Sequence, residues 1–232
     1  MADGLAKGSA QGGRGRIVTS EHALVKHKLA LLRDVRTSSF QFRALVRELA
    51  TLLAYEATAD LPLVERAVTT PLAEAQGHAL AHRIGLVPIL RAGLGMVDAI
   101  WELIPDAQVW HIGVYRDHET LQPVRYYSKL PPTPTVQVCL VLDPMLATGG
   151  SAIATVDMLK ECGVPWIKFV GIIAAPEGIQ ALSSAHPDVD IHVAAIDERL
   201  TPLPASAEDP PEGYIVPGLG DAGDRQFGTG QR

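Results

Sequence analysis

The stretch that decides the fold is residues 138–151, with the sequence VCLVLDPMLATGGS. Its first five residues are apolar and are followed by turn-forming residues, a pattern typical of a short strand buried on both faces of a parallel sheet. From Ser151 onward apolar residues recur at helical spacing, and the sequence CGVP at residues 162–165 predicts where that helix ends. The residues in between therefore form a strand-to-helix turn at the carboxyl edge of an α/β sheet, where ligands of such folds usually bind.

Small residues and hydroxyls dominate this turn, which contains Thr148, Gly149, Gly150 and Ser151. Free N–H groups and the helix dipole favour an anion at a helix N-terminus, and a phosphate group fits there. The carboxylate of Asp143 would repel that phosphate unless it faced sugar hydroxyls or a bound cation. A ligand with both a phosphate and a ribose satisfies the whole stretch, whereas the turn taken alone is equally compatible with a purely structural, capped helix start.

Three segments carry a resemblance to a known family. Residues 143–151 (DPMLATGGS) resemble the motif with which phosphoribosyltransferases bind 5-phospho-α-D-ribose 1-diphosphate (PRPP), in the form used by their uracil-specific members. Residues 89–95 (ILRAGLG) resemble that family's pyrophosphate loop, and residues 213–224 (GYIVPGLGDAGD) resemble its uracil-recognition segment. The resemblance extends from about Val18 to Thr229 and includes residues 55–60 and 174–178.

The order of predicted elements gives the fold class. Strands that alternate with helices predict an α/β protein with a mainly parallel, doubly wound sheet flanked by helices. Strands are predicted at residues 86–90, 109–115, 138–142, 167–175 and 191–196, and helices at 21–32, 38–55, 93–104, 151–162 and 177–185. We expect a disordered leader at 1–16 and one domain at 17–232, with a β-hairpin flap at 116–130, a Pro-rich exposed loop at 197–212 and the base-recognition segment at 213–229.

The resemblance implies that uracil and PRPP are converted to UMP and diphosphate in pyrimidine salvage. It implies catalytic roles for Asp143, Arg116 and Asp221. The residues implied to bind PRPP are Arg91, Arg116, Asp143, Pro144, Met145, Leu146, Ala147, Thr148, Gly149, Gly150, Ser151 and Asp221. Those implied to bind uracil are Ile215, Gly220, Asp221 and Ala222, in a stretch whose glycine and proline content predicts irregular backbone rather than a helix.

Cofactors and partners follow from the same resemblance. Mg²⁺ is expected to arrive with PRPP and to be contacted by Asp221, with no other direct metal ligand from the protein, and some relatives use GTP as an allosteric activator. A homodimer or homotetramer is expected, with the apolar face of the helix at 38–55 as the subunit interface. Packing of that face inside one chain is the alternative.

Composition limits the remaining possibilities. The chain has 232 residues, two cysteines, a formal charge of -6 and a sequence pI near 5.7. The acidic balance argues against nucleic acid as a partner. Two cysteines without disulfide-framework spacing favour a reducing compartment, and the absence of a membrane-length apolar run or a signal-peptide pattern leads us to expect a cytoplasmic protein without membrane contact.

Two other functions fit the residues. The chain could be a phosphoribosyltransferase for another nucleobase, because the PRPP motif is shared by relatives that act on other bases. It could also be a regulator that senses PRPP or UMP and binds RNA, which would require a basic patch away from the pocket. One departure from many phosphoribosyltransferases is the single acid, Asp143, before Pro144, where they carry two adjacent acids.

Overall fold

The computed structural model describes residues 14–116, 123–128, 130–206 and 209–229, with the backbone alone for 114–116 and 123–128. The strands of the described chain are β1 (Ile17–Thr19), β2 (Leu63–Thr69), β3 (Glu74–Leu80), β4 (Ile84–Pro88), β5 (Gln108–Val109), β6 (Ile112–Arg116), β7 (Pro123–Ser128), β8 (Val138–Leu142), β9 (Met145–Leu146), β10 (Trp166–Ala174), β11 (Asp190–Ile196), β12 (Arg199–Leu200) and β13 (Ile215–Val216). The helices are α1 (Ala23–Arg33), α2 (Ser39–Ala57), α3 (Leu94–Leu103), α4 (Gly150–Glu161), α5 (Pro176–Ala185) and α6 (Ala222–Phe227).

The central sheet confirms the predicted fold class. Its strands follow the order β1-β11-β10-β8-β4-β5, and β9 adds to β10 beyond the end of β8. Every pairing in this sheet is parallel. Because the carboxyl ends of parallel strands share one edge, the loops after β4, β8 and β10 all emerge on the same side of the molecule.

Helices cover both faces of the sheet, and strand β8 shows how. Leu140 and Leu142 belong to a core that includes residues of α1, α2 and α3, whereas Cys139 and Val141 belong to a second core with residues of α4 and α5. Successive side chains of a strand point to opposite faces, so an uninterrupted apolar run is what a doubly covered strand requires. The strand predicted at 138–142 and the helix after it are confirmed.

Helix α2 begins where its capping box predicts. The Ser38 hydroxyl accepts a hydrogen bond from the backbone of Gln41, whose side chain accepts one from the backbone of Ser38. The apolar face of the helix, including Phe42 and Leu49, is buried within the same chain against α1, α3 and β10. The prediction that this face forms the subunit interface is therefore wrong, and the alternative of core packing is correct.

Three expected boundaries need correction. The strand predicted at 109–115 is split, because β5 stays with the central sheet while β6 leaves it to pair with β7 as an antiparallel hairpin. The flap predicted at 116–130 overlaps this hairpin, which begins at Ile112, and residues 117–122 and 129 of the predicted flap lie outside the described residues. The loop predicted at 197–212 is not exposed at its start, because Asp197 and Thr201 are buried and β12 pairs with β13.

The last residues of the leader predicted at 1–16 belong to the described structure. Residues 1–13 lie outside the described residues, whereas Arg16 is held by its backbone N–H, which donates to Oδ1 of Asp190 at 2.8 Å. The adjacent β1 then pairs with β11 at the edge of the sheet. Three residues are too few to show strand periodicity, which is why the sequence pattern does not predict β1.

An exposed hairpin, β2 with β3, projects from the domain. Its two strands pair along their full length, and every residue of β2 is exposed, including Leu63, Val64 and Val68. Leu72 at its turn is 98% exposed. Pro62, Pro71 and Gly77 interrupt the periodicity of this region, so nothing in its sequence predicts a hairpin.

No described helix is both long and apolar enough to cross a membrane.

A buried lysine lies at the amino edge of the sheet, opposite the loops described above. The ammonium group of Lys168 is fully buried, donates to the Ala57 carbonyl at 2.8 Å, and pairs with Asp60 and, at 3.7 Å, with Asp190. Arg16 pairs with the same two carboxylates. Burial raises the pKa of both acids, but the hydrogen bonds and charges of Arg16 and Lys168 outweigh it and hold the pKa of Asp60 and of Asp190 below the usual value.

Replacement of Lys168 by Met should lower the free energy of unfolding at pH 7 by about 3 kcal/mol, because Asp60 and Asp190 lose their buried cationic partner and keep only Arg16. Acids with a lowered folded pKa stabilise the protein above their unfolded pKa, and this contribution disappears as the pH falls through the folded value. The deficit of the variant should therefore shrink below pH 4. Urea unfolding from pH 3 to 8 measures it, with Lys160→Met, which removes the more exposed pair with Asp188, as the control. A loss of stability that does not change with pH would show that the ion pairs of Lys168 are not its cause.

Candidate active site

The loop between β8 and α4 has the geometry of an anion site. Gly149 caps α4 with a φ of +85°, and the first turn of the helix starts at Gly150. Within the described chain, the hydroxyls of Thr148 and Ser151 make no hydrogen bond, so they can donate to a ligand together with the free backbone N–H groups of the helix start. The predicted strand, turn and helix therefore come together as expected, with residues 144–151 wrapped around the end of β8.

Neighbouring elements fix the backbone of this loop from two sides. A Cβ on Gly93, in the loop after β4, would lie 2.3 Å from the carbonyl oxygen of Leu142. A Cβ on Gly178, in the first turn of α5, would lie 2.3 Å from the carbonyl oxygen of Ala147. A side chain at either position would force the loops apart. Gly178 lies within a family-like segment, but the sequence alone does not indicate what it touches.

Asp143 stands at the end of β8, half-buried, and accepts a hydrogen bond from the backbone of Met145 at 3.2 Å. Burial raises the pKa of Asp143 to about 7, the Met145 hydrogen bond opposes this rise, and the negative charge of Asp221 adds to it. No described basic side chain pairs with Asp143. The carboxylate therefore lacks the hydrogen-bond donors or the cation that its position calls for, and sugar hydroxyls would supply the donors.

Arg91 lies in the loop after β4, next to the C-terminal segment. Its guanidinium is more than half exposed and reaches Oδ1 of Asp224 at 3.4 Å, and a Cβ on Gly223 would lie 3.6 Å from Nη2 of Arg91. The Leu90–Arg91 peptide bond is cis. The structure thus brings Arg91 beside residues that are more than 130 positions away in sequence, and leaves much of its donor fork accessible to an anion.

The C-terminal segment corrects one prediction. Residues 222–227 form helix α6, not irregular backbone, and the Asp221 carboxylate caps it by accepting from the Asp224 N–H at 2.8 Å. An aspartate N-cap and a Gly228 in the left-handed region are strong local helix signals, and here they outweigh the glycine and proline around them. Before the helix, Ile215 lies in β13, and Gly220 makes no backbone hydrogen bond to another described residue.

Gln226 joins two parts of the site and is not suggested by any sequence pattern. Its buried amide donates to the carbonyl of Ala92 at 3.0 Å and to that of Ala222 at 3.1 Å. It therefore links the Arg91 loop to the start of α6. A six-residue helix is too short to show a periodic apolar face, so periodicity predicts neither α6 nor a buried glutamine in it, and the capping residues Asp221 and Gly228 are the local signals that indicate the helix.

The structure gives only partial information on two predictions, the role of Arg116 and the metal contact. Arg116 ends β6, and its side chain lies outside the described part of the structure, so its role stays a prediction. Among the described residues no three acidic, histidine or cysteine side chains gather as a metal-ligand set. The negative charge of Asp221 contributes to the raised pKa of Asp143, so the two carboxylates interact electrostatically.

Comparison with known proteins agrees with this geometry. Residues 18–229 match the family described as uracil phosphoribosyltransferase. A uracil phosphoribosyltransferase from Roseiflexus sp. (strain RS-1) is 64% identical over 215 residues, which cover 93% of this chain and 99% of the relative. The enzyme of that name from Geobacillus kaustophilus (strain HTA426) is 53% identical over 216 residues, with the same two coverages. A solved structure of a protein from Aquifex aeolicus shares 37% identity, superposes with a TM-score of 0.84, and covers 93% of this chain and 100% of its own.

Replacement of Asp143 by Asn should stabilise the ligand-free protein at pH 8 and have little effect at pH 4. A carboxyl whose folded pKa exceeds its unfolded value destabilises the folded state progressively between the two, here from about pH 4 to about pH 7. Thermal unfolding of both proteins across this range measures the effect. A stability gain of equal size at pH 4 and pH 8 would show that ionisation of Asp143 is not its cause.

Proposed function

This chain belongs to the uracil phosphoribosyltransferase family, and we propose that it transfers the 5-phosphoribosyl group of PRPP to uracil, yielding UMP and diphosphate in pyrimidine salvage. The observation that carries this proposal is the meeting of three loops at one edge of the sheet. These are the Asp143 turn, the Arg91 loop and the segment from Ile215 to Ala222. Each loop has the chemistry suited to one part of the two substrates.

The 5-phosphate of PRPP is assigned to the turn before α4. Thr148 and Ser151 donate their hydroxyls, and the backbone N–H groups of Gly149 and Gly150 approach the phosphate oxygens without interference from side chains. The remaining turn residues, Pro144, Met145, Leu146 and Ala147, shape the loop around the ribose phosphate. Asp143 accepts hydrogen bonds from the ribose hydroxyls, which gives its half-buried carboxylate the donors that it lacks.

The diphosphate is assigned to the positive groups beside this turn. Arg91 provides a bidentate donor fork at the end of β4, and Arg116 of the β6–β7 hairpin provides a second one on closure. Asp221 would contact the Mg²⁺ that PRPP carries, and this ion would reduce the negative charge of the leaving group. Asp221 is suited to this contact because its carboxylate has no described basic partner and its second oxygen is not used by the helix cap.

Uracil is assigned to the segment before α6, with contacts from Ile215, Gly220 and Ala222 and with Asp221 beside it. The N–H and C=O of Gly220 make no hydrogen bond to described residues, so one donor and one acceptor are available to the edge of a base. Uracil and cytosine differ in the order of hydrogen-bond donors and acceptors along their edges. A mismatched base therefore leaves a buried polar group without a partner.

The reaction requires no nucleophilic side chain. The bond from C1 of the ribose to diphosphate oxygen breaks, its electron pair leaves with diphosphate, and a ring nitrogen of uracil bonds to C1 and loses its proton. The protein's contribution is to position the two substrates and to stabilise charge as it separates in an oxocarbenium-like state. Closure of the β6–β7 hairpin would exclude the water that could intercept this state.

Conversion of labelled uracil to UMP, followed with and without PRPP and Mg²⁺, tests the function. Product should form only when both are present. Addition of GTP in the same assay tests whether it acts as an allosteric activator, as we propose from the family resemblance. Competition by unlabelled cytosine, hypoxanthine and orotate tests the base. Formation of a different nucleotide, or no product while RNA binds, would favour the two alternative functions and contradict this one.

Asp221→Asn should lower kcat about 100-fold, in line with the loss of a group that stabilises charge in the transition state. Asparagine caps a helix as well as aspartate, so α6 is retained and the substitution tests the charge alone. The dissociation constant of ribose 5-phosphate, which lacks the diphosphate, should change little. An unchanged kcat would remove Asp221 from the mechanism.

We propose a homo-oligomer, dimer or tetramer, located in the cytoplasm. The β2–β3 hairpin supports the assembly, because two strands alone are marginally stable in water and this pair exposes several apolar side chains. The unpaired cysteines Cys139 and Cys162 are compatible with a reducing compartment.

Substitution of Val64 and Leu72 by Lys should reduce the mass measured by light scattering after size-exclusion chromatography, because charges would replace apolar contacts on the hairpin. Val35→Lys is the control, since Val35 is 91% exposed and lies outside the hairpin. An unchanged mass for the hairpin variant, at a concentration where the parent protein is oligomeric, would exclude the hairpin from the interface.

A further inference from the structure

Arg33, the last residue of α1, reaches into the turn that precedes Gly220. Its Nη1 donates to the carbonyl oxygen of Gly218 at 2.6 Å and to Oδ2 of Asp197 at 2.8 Å. The same carboxylate oxygen accepts the backbone N–H of Gly218 at 2.9 Å. Both backbone polar groups of Gly218 are thus held by one ion pair, whose members come from α1 and from the end of β11.

Burial makes this ion pair rigid. The side chain of Asp197 is 4% exposed and that of Arg33 is 23% exposed, and a second guanidinium nitrogen of Arg33 pairs with Oδ1 of Asp197. Two parallel charge-assisted hydrogen bonds fix the orientation of both groups, and removal of either partner leaves a buried charge uncompensated. A surface ion pair would not constrain its neighbours in this way.

A second arginine ties the same turn to the same helix. Nη1 of Arg225 donates to the carbonyl oxygens of Leu219 and Leu32, both at 2.9 Å, and Nη2 donates to that of Asp34 at 2.6 Å. The guanidinium also lies over the ring of Phe42, 4.4 Å from its centroid. The end of α1 and residues 218–219 are therefore cross-linked on both sides of Arg33.

We propose that Arg33 and Asp197 are positioning residues for base recognition, acting through Gly218 on the backbone of Gly220. The inference rests on the proposed assignment of uracil to the segment from Ile215 to Ala222. Gly220 directly follows the held residues 218–219, and its backbone groups make no hydrogen bond to described residues. Selection of uracil over cytosine depends on where these groups point, and the ion pair sets their position without touching the base.

Kinetics of Arg33→Met and Asp197→Asn test the proposal. The KM for uracil should rise about tenfold, as expected for a small misplacement of recognition groups, while the KM for PRPP stays unchanged. The ratio of kcat/KM for uracil to that for cytosine should fall. Arg33→Lys should lie between the parent and Arg33→Met, because an ammonium group keeps the charge but cannot reproduce the two-pronged contact.

Lys28→Met is a closely matched control. Lys28 lies on the same helix, is 24% exposed, and pairs with Glu48 of α2 rather than with the C-terminal segment. It should lower stability slightly and leave both KM values unchanged. Thermal unfolding of every variant separates loss of fold from loss of recognition, and Asp197→Asn, which preserves side-chain shape, provides the measurement if Arg33→Met does not fold.

Gly220→Ala separates failure of the inference from failure of the site assignment. If it leaves the KM for uracil unchanged, the proposed uracil site is wrong. If it raises that KM while Arg33→Met and Asp197→Asn do not, the site stands and the positioning role is overturned. An equal rise in the KM values of uracil and PRPP in the ion-pair variants would also overturn it, because a general structural role would produce that result.

Discussion

The carbonyl oxygen of Leu142 lies 2.3 Å from where a Cβ on Gly93 would be, and that of Ala147 lies equally close to a Cβ position on Gly178. At the carboxyl edge of the sheet, backbone therefore packs on backbone without side chains between. This contact keeps the Arg91 loop, the Asp143 turn and the start of α5 close together, as the proposed PRPP site requires. The parallel register of β4, β8 and β10 makes the contact available, since all three strands end at the same edge.

The two edges of the sheet handle buried charge in opposite ways. At the amino edge, Lys168 is surrounded by Asp60 and Asp190, so each buried charge has a partner and the cluster stabilises the fold. At the carboxyl edge, Asp143 has no described basic partner, and burial raises its pKa to about 7. An unpaired carboxylate costs stability in the free protein, but it is ready to accept hydrogen bonds from a ligand. Stability and binding are thus assigned to opposite edges.

The parts of the fold that could be predicted are those in which a short stretch of sequence indicates both its structure and its chemistry. The run at 138–151 predicts a buried strand, a tight turn and a capped helix, and each of these follows from local propensity and periodicity. Elements that depend on distant contacts, or that are too short to show a periodic pattern, could not be predicted in this way. Helix α6 has six residues and no periodic face, and Gln226 is explained only by the Ala92 and Ala222 carbonyls that it joins. The β2–β3 hairpin could not be predicted either, because the prolines and the glycine in this region interrupt any periodic pattern of apolar residues.

The same difference between local sequence patterns and distant contacts separates the part of the proposed site for the sugar phosphate from the part for the base. The residues proposed to bind phosphate and ribose are nearly consecutive, since a strand end and a helix start place an acceptor and several donors a few residues apart. The segment proposed to bind the base includes a loop between β13 and α6, and side chains from distant parts of the chain hold the backbone of that loop. Arg33 and Asp197 are over 160 positions apart, yet together they hold both backbone groups of Gly218. On the proposed assignment, selection of the base would depend on contacts between distant parts of the domain, whereas binding of the sugar phosphate would depend mainly on the turn after β8.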